Sequence, residues 1–99
     1  MTNIEKLAKA RSKDWNLLKL AEECVELTQA VIKFCLDETP EARQAIIEEM
    51  VDVIICIETV KNVLEISDSE LTDMRHWKMV RNLQRIGEVT ANDKPKRCT

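Results

Sequence analysis

The sequence has one glycine, two prolines, one histidine and no tyrosine among its 99 residues. With so few turn-formers and breakers, a sandwich or barrel of short strands is excluded, because each strand end needs turn chemistry. Only three residues are aromatic, so a chain this short builds a modest core by itself. Helices completed by further copies of the chain are therefore expected. The lone histidine excludes di-iron carboxylate chemistry, which needs two Glu-x-x-His pairs. No C-x-x-C pair joins the four cysteines, Cys24, Cys35, Cys56 and Cys98. They read as reduced thiols, buried where they fall in apolar helical runs, in a cytoplasmic protein. No charge-free stretch is long enough to span a membrane. Met1 to Asp14 is charged throughout, unlike a secretory leader. A net charge of −3 gives no reason to expect nucleic acid as partner.

What the chain has in quantity is Leu, Ile, Ala, Glu and Lys at helical spacing. Thr2 to Arg11 is a short amphipathic segment, read as a first helix or helical arm. Ser12 and Asp14 are candidate N-caps for a second helix over Trp15 to Leu36. In that helix Glu22, Glu23 and Glu26 lie off the apolar side, with Glu23 at its border. Thr39-Pro40-Glu41 starts a third helix running to about Glu65, with Thr as cap and Pro at the first position. Ser67-Asp68-Ser69-Glu70 has the form of a capping box. It opens a fourth helix from about Asp68 to Ile86, ending at Gly87. Residues 1–89 form one all-α domain, an antiparallel helical bundle completed by oligomerisation. Residues 90–99 form a polar, basic tail expected to be flexible.

The third helix carries an anomaly. Ile46 to Glu58, IIEEMVDVIICIE, is apolar nearly all round, yet Glu49 and Asp52 fall inside its apolar stripe on a helical wheel. A buried, unpaired carboxylate is too costly to persist, so these acids need a cation. Glu49 and Asp52 share a helix face at i, i+3, and so do Glu23 and Glu26. An antiparallel return between the two helices brings the pairs opposite each other. Oxygen-only ligands without His or Cys suit Mg²⁺ or Mn²⁺. An acidic cluster with Mg²⁺ points to phosphate chemistry. The rival reading for Glu49 and Asp52 is a salt bridge to a basic residue on a neighbouring helix. Glu48 is turned about a quarter of the wheel or more from Glu49 and is left out of the cluster.

LLKLAEECVEL followed by IIEEMVDVIICI resembles the MazG-like members of the all-α nucleoside triphosphate pyrophosphohydrolases. That superfamily is marked by E-x-x-E on one helix and E-x-x-D on the next, here Glu23-x-x-Glu26 and Glu49-x-x-Asp52. The resemblance covers about Trp15 to Ile86. It implies hydrolysis of a nucleoside triphosphate between its α and β phosphates, giving the monophosphate and pyrophosphate. It implies Mg²⁺ held by Glu23, Glu26, Glu49 and Asp52, in a dimer or tetramer of helical subunits. Water attacks phosphorus in such enzymes, and Glu22 or Glu23 is the candidate base. Lys78, Arg81 and Asn82 occupy the place of phosphate-binding residues in several relatives.

The residues themselves support that last assignment in part. Lys78, Arg81 and Arg85 form one basic stripe, and Arg binds phosphate bidentately; a solvated charged face is the rival. Lys19, one turn before Glu22 and Glu23, is a candidate to orient them or bind phosphate. Trp15 and Trp77 read first as core or interface packing and second as stacking surfaces for a base. The expected activity is a Mg²⁺-dependent (d)NTP pyrophosphohydrolase that clears surplus or non-standard nucleotides. Phosphoribosyl-ATP pyrophosphohydrolase is the alternative within the class. A non-enzymatic helical oligomer or adaptor, its acids in structural ion pairs, is the alternative outside it.

Overall fold

The structure is a computed structural model that describes residues 1–88. The tail expected over residues 90–99, with Cys98, lies outside the described residues. Four helices follow in order: α1 (Asn3–Ala10), α2 (Lys13–Leu36), α3 (Pro40–Val63) and α4 (Asp68–Arg85). There is no strand among the described residues, so the chain is all-α. No described helix is long and apolar enough to cross a membrane.

Each helix starts where a side chain satisfies a free backbone N–H. Ser12, rather than Asp14, caps α2 by accepting from the Trp15 N–H at 3.1 Å. Thr39 caps α3 through the Ala42 N–H at 3.0 Å, with Pro40 at the first position. Ser67 and Glu70 form the expected capping box of α4. Thr2 and Glu5 form a second such box on α1. The stops are equally local. Gly87 takes φ +81° just past α4. Beyond α3, Leu64 is the cap residue and Glu65 adopts φ +54°.

The chain divides into two compact units, Met1–Glu65 and the part from Ile66 onward. In the first, α2 and α3 pack along their lengths and α1 packs on α3. The direction of pairing is antiparallel. Trp15 and Asn16, early in α2, share a cavity with Ile55 and Thr59, late in α3. Further along α2, Glu23 meets Glu49 and Asp52. The second described unit is built on α4, where the Arg81 guanidinium lies 4.7 Å from the centre of the Trp77 ring.

The seam between α2 and α3 is not the most apolar arc of either helix. On α2 it contains buried Asn16 and Glu23, with half-buried Lys19, Glu26, Leu27, Ala30 and Phe34. On α3 it contains Ala42, Val53, Thr59 and Val60, all buried, and half-buried Glu49 and Cys56. The broad apolar arcs face outward instead. Leu18 is 70% exposed, Val25 57% and Ile32 55%, while Met50, Val51, Ile54 and Ile57 of α3 are each exposed by more than two fifths. Cys24 and Cys35 lie on the outward side of α2 and are exposed, which corrects the expectation of buried thiols; Cys56 is half-buried. Trp15 is also exposed, so it is not a core residue of this chain.

Candidate metal centre

The acidic cluster is built by two helix registers. Glu23 stands on the inner side of α2 at the level where α3 presents Glu49 and, one turn on, Asp52. One carboxylate oxygen from each of the three lies within 4.8 Å of the others. Glu22, Glu23 and Glu26 form a second group by the same criterion, so Glu23 belongs to both.

Burial within the cluster is uneven. Glu23, expected at the border of a polar face, is the most enclosed acid, at 6% exposure. Glu26 and Glu49 are half-buried, and Glu22 and Glu48 are exposed. Asp52 is exposed too, which corrects its expected place in the buried stripe. The reason is that α3 turns its narrow, small-residue side to α2, and Asp52 lies at the edge of that side. One oxygen of Glu23 and one of Glu49, both Oε2, are buried without a hydrogen-bond partner. A buried carboxylate oxygen left without a donor is costly, and three acids converging from two helices fit a hard cation with oxygen ligands.

Lys19 is the one protein cation at this cluster among the described ion pairs. Its Nζ lies 3.0 Å from Glu23 Oε1 and 3.4 Å from Glu22 Oε1. The rival reading required a basic residue from a neighbouring helix at Glu49 or Asp52; Lys19 of α2 instead bridges Glu22 and Glu23 of its own helix. The two hydrogen bonds, that to Glu23 the stronger, hold the Lys19 ammonium above its ordinary pKa. The same contact with Lys19 holds the Glu23 carboxyl below its ordinary value, with burial opposing. Glu26 moves the other way. The neighbouring Glu23 carboxylate raises it most, with burial and the negative charges of Glu49 and Glu22 adding to the shift. Among the described residues, one lysine thus faces five carboxylates, Glu22, Glu23, Glu26, Glu49 and Asp52.

The other expected residues lie on α4. Lys78 and Asn82 are exposed, and Arg81 is half-buried, with its Nε enclosed and lacking a partner. His76 is exposed. Two features of the α1–α2 corner were not read from the sequence as part of a site. Asn16 is buried, its side-chain amide donating to the carbonyls of Ala8, Arg11 and Ser12 at 3.0–3.4 Å. Arg11 places its guanidinium 5.0 Å from the centre of the Trp15 ring. An Asn one turn into a capped helix, after a short helix, is the signal for the first; the Arg-Trp spacing of four is the signal for the second.

Comparison with protein-family models, with curated proteins and with solved structures returned no match to this chain.

Proposed function

We propose that this chain is a MazG-like, Mg²⁺-dependent nucleoside triphosphate pyrophosphohydrolase that converts (d)NTP to (d)NMP and pyrophosphate, clearing surplus nucleotides in the cytoplasm. One observation carries the reading. Glu23, Glu49 and Asp52 converge from two helices, and two of them keep buried oxygens without a donor among the described residues. Glu23, Glu26, Glu49 and Asp52 are the residues that would hold Mg²⁺, or Mn²⁺ in its place. The ion would neutralise triphosphate oxygens and so lower the barrier to attack at phosphorus. Lys19 keeps Glu23 ionised and fixes its orientation. Glu22, exposed and tethered to the same lysine, or Glu23 is proposed to take a proton from attacking water. Lys78, Arg81 and Asn82 are proposed to bind the phosphate chain.

The outward apolar arcs of α2 and α3 support a homo-oligomer, dimer or tetramer, because exposed apolar area on this scale marks an interaction surface. They support a purely structural oligomer equally well, so the test is chemical. Full-length protein with Mg²⁺ and a panel of (d)NTPs, including phosphoribosyl-ATP, should release pyrophosphate from at least one substrate. A folded oligomer that releases none, and whose melting temperature Mg²⁺ does not raise, would overturn the enzyme reading in favour of the adaptor.

A further inference from the structure

Glu23 belongs to two groups of acids at once. It offers a carboxylate oxygen within 4.8 Å of oxygens from Glu49 and Asp52, and the same holds for it with Glu22 and Glu26. Two three-acid groups that share one carboxylate have the layout of a two-metal site, in which ions about 3.5–4 Å apart divide the work on a phosphate. The two groups here are not alike. In the one built on α2 alone a cation of the chain is already present: the Lys19 Nζ lies 3.0 Å from Glu23 Oε1 and 3.4 Å from Glu22 Oε1. In the other, which joins Glu23 to Glu49 and Asp52, no lysine or arginine bridges Glu49 or Asp52 among the described ion pairs.

Glu23 divides its two oxygens accordingly. Oε1 accepts from Lys19, while Oε2 is buried without a hydrogen-bond partner among the described residues, in a side chain that is 8% exposed. Glu49, a member only of the second group, likewise keeps a buried Oε2 without a partner. The lysine contact is set inside α2, because residues three and four apart lie on one helix face. A second divalent ion among Glu22, Glu23 and Glu26 would have to displace that ammonium or sit beside it, and like charges at such distances repel.

We propose that Lys19 occupies the place of a second metal ion, so that the cluster takes a single divalent ion, on the side of Glu23, Glu49 and Asp52. This rests on the metal reading of the cluster given above, and adds the metal count and the residue that sets it. Lys19 acts as a positioning residue: it holds Glu23 by Oε1 and leaves Oε2 to the ion. A fixed ammonium then stands where two-metal enzymes depend on a second ion from solution.

The count is taken with Mn²⁺, whose free ion loses its sharp paramagnetic resonance signal on binding, in titrations of full-length protein without nucleotide. Wild type should bind one Mn²⁺ per chain. Lys19→Met keeps an unbranched apolar stem, removes the charge and should bind two, the second ~10-fold weaker or more because the ions repel. Lys19→Arg, which restores a cation, should bind one. Glu22→Gln added to Lys19→Met should return the count to one, since Glu22 serves only the α2 group. A lysine that merely steadied the helix would leave the count unchanged in every variant. Should Lys19→Met lose helical content by circular dichroism, the comparison is wild type with Glu22→Gln: equal counts of one, with affinities within about threefold, support the proposal. Two ions on wild type, or one on folded Lys19→Met, overturn it and leave the metal centre standing. No Mn²⁺ bound by folded wild type overturns the metal reading itself.

Discussion

The acids of α2 and the acids of α3 meet in one cluster but are provided for differently. Glu23 carries its own cation: Lys19 is one turn earlier on the same helix, and their contact is fixed by the helix period. Among the described residues Glu49 and Asp52 have no ion pair of this kind, and Glu49, like Glu23, keeps a buried oxygen without a donor. The α2 side is thus partly neutralised by its own lysine, while the α3 side has no such cation among the described residues. A site that must bind and release a charged ligand benefits from this division. A cluster fully neutralised by its own lysines would have no affinity left for a metal, and one with none would oppose folding.

The largest expected effect comes from removing the unprovided side. Glu49→Gln should cut Mg²⁺-dependent pyrophosphate release by ~100-fold or more. It should also abolish the Mg²⁺-induced rise in melting temperature, with circular dichroism showing the same helical content. Retained activity would remove Glu49 from the metal set.

Removing the internal cation should be milder and depend on pH. Glu23 is held below its ordinary pKa chiefly by Lys19. Its contribution is therefore present above the ordinary carboxyl range and lost as pH falls through the depressed value. Lys19→Met should lower the melting temperature most near neutral pH, with the difference from wild type shrinking below about pH 4. Mg²⁺ should restore part of the loss, since it substitutes for the missing charge. A difference constant across pH would show that Lys19 acts by packing.

Glu26 gives the opposite sign. Its raised pKa means that the folded state favours its protonated form, so ionisation above the ordinary carboxyl range costs stability. Glu26→Gln should raise the melting temperature at pH 7 without metal, an advantage that disappears as pH falls through the raised value. The same substitution should weaken stabilisation by Mg²⁺. The smallest effect is a control on the other unit. Ser67→Ala should destabilise α4 by about 1 kcal/mol, seen as faster amide exchange in α4 while the α2–α3 seam keeps its protection.

Helix boundaries were legible because caps are local. Thr39-Pro40 and Ser67-x-x-Glu70 act on N–H groups three residues away, and no distant contact has to be known. The pairing of Glu23 with Glu49 and Asp52 was legible because helical spacing and an antiparallel return fix the register. Which side of each helix turns inward was not legible. The apolar arc of α2 covers about half its wheel, so hydrophobicity alone points it inward. The structure instead buries Asn16 and Glu23 and exposes Leu18, Val25 and Ile32. Small residues such as Ala30, Ala42 and Ala45 on the seam allow close approach, an effect that a wheel weighted by hydrophobicity underrates. Asp52 and the thiols of Cys24 and Cys35 were misplaced for the same reason. The α1–α2 corner was missed because Asn16 also reaches the Ala8 carbonyl of the preceding helix, which no spacing rule for α2 includes.

The ends of α3 and α4 draw the same left-handed turn with different residues. At Gly87, φ +81° carries no side-chain penalty, and nothing among the described residues lies within 4 Å of where a Cβ would stand. At Glu65, φ +54° is held by a residue with a Cβ, at a cost of roughly 1–2 kcal/mol. The boundary between the two compact units therefore falls on a backbone that would relax if released. Glu65→Gly removes that penalty at a position outside the acidic cluster. The most direct route to a hardier form of this protein thus runs through a residue with no assigned part in its chemistry.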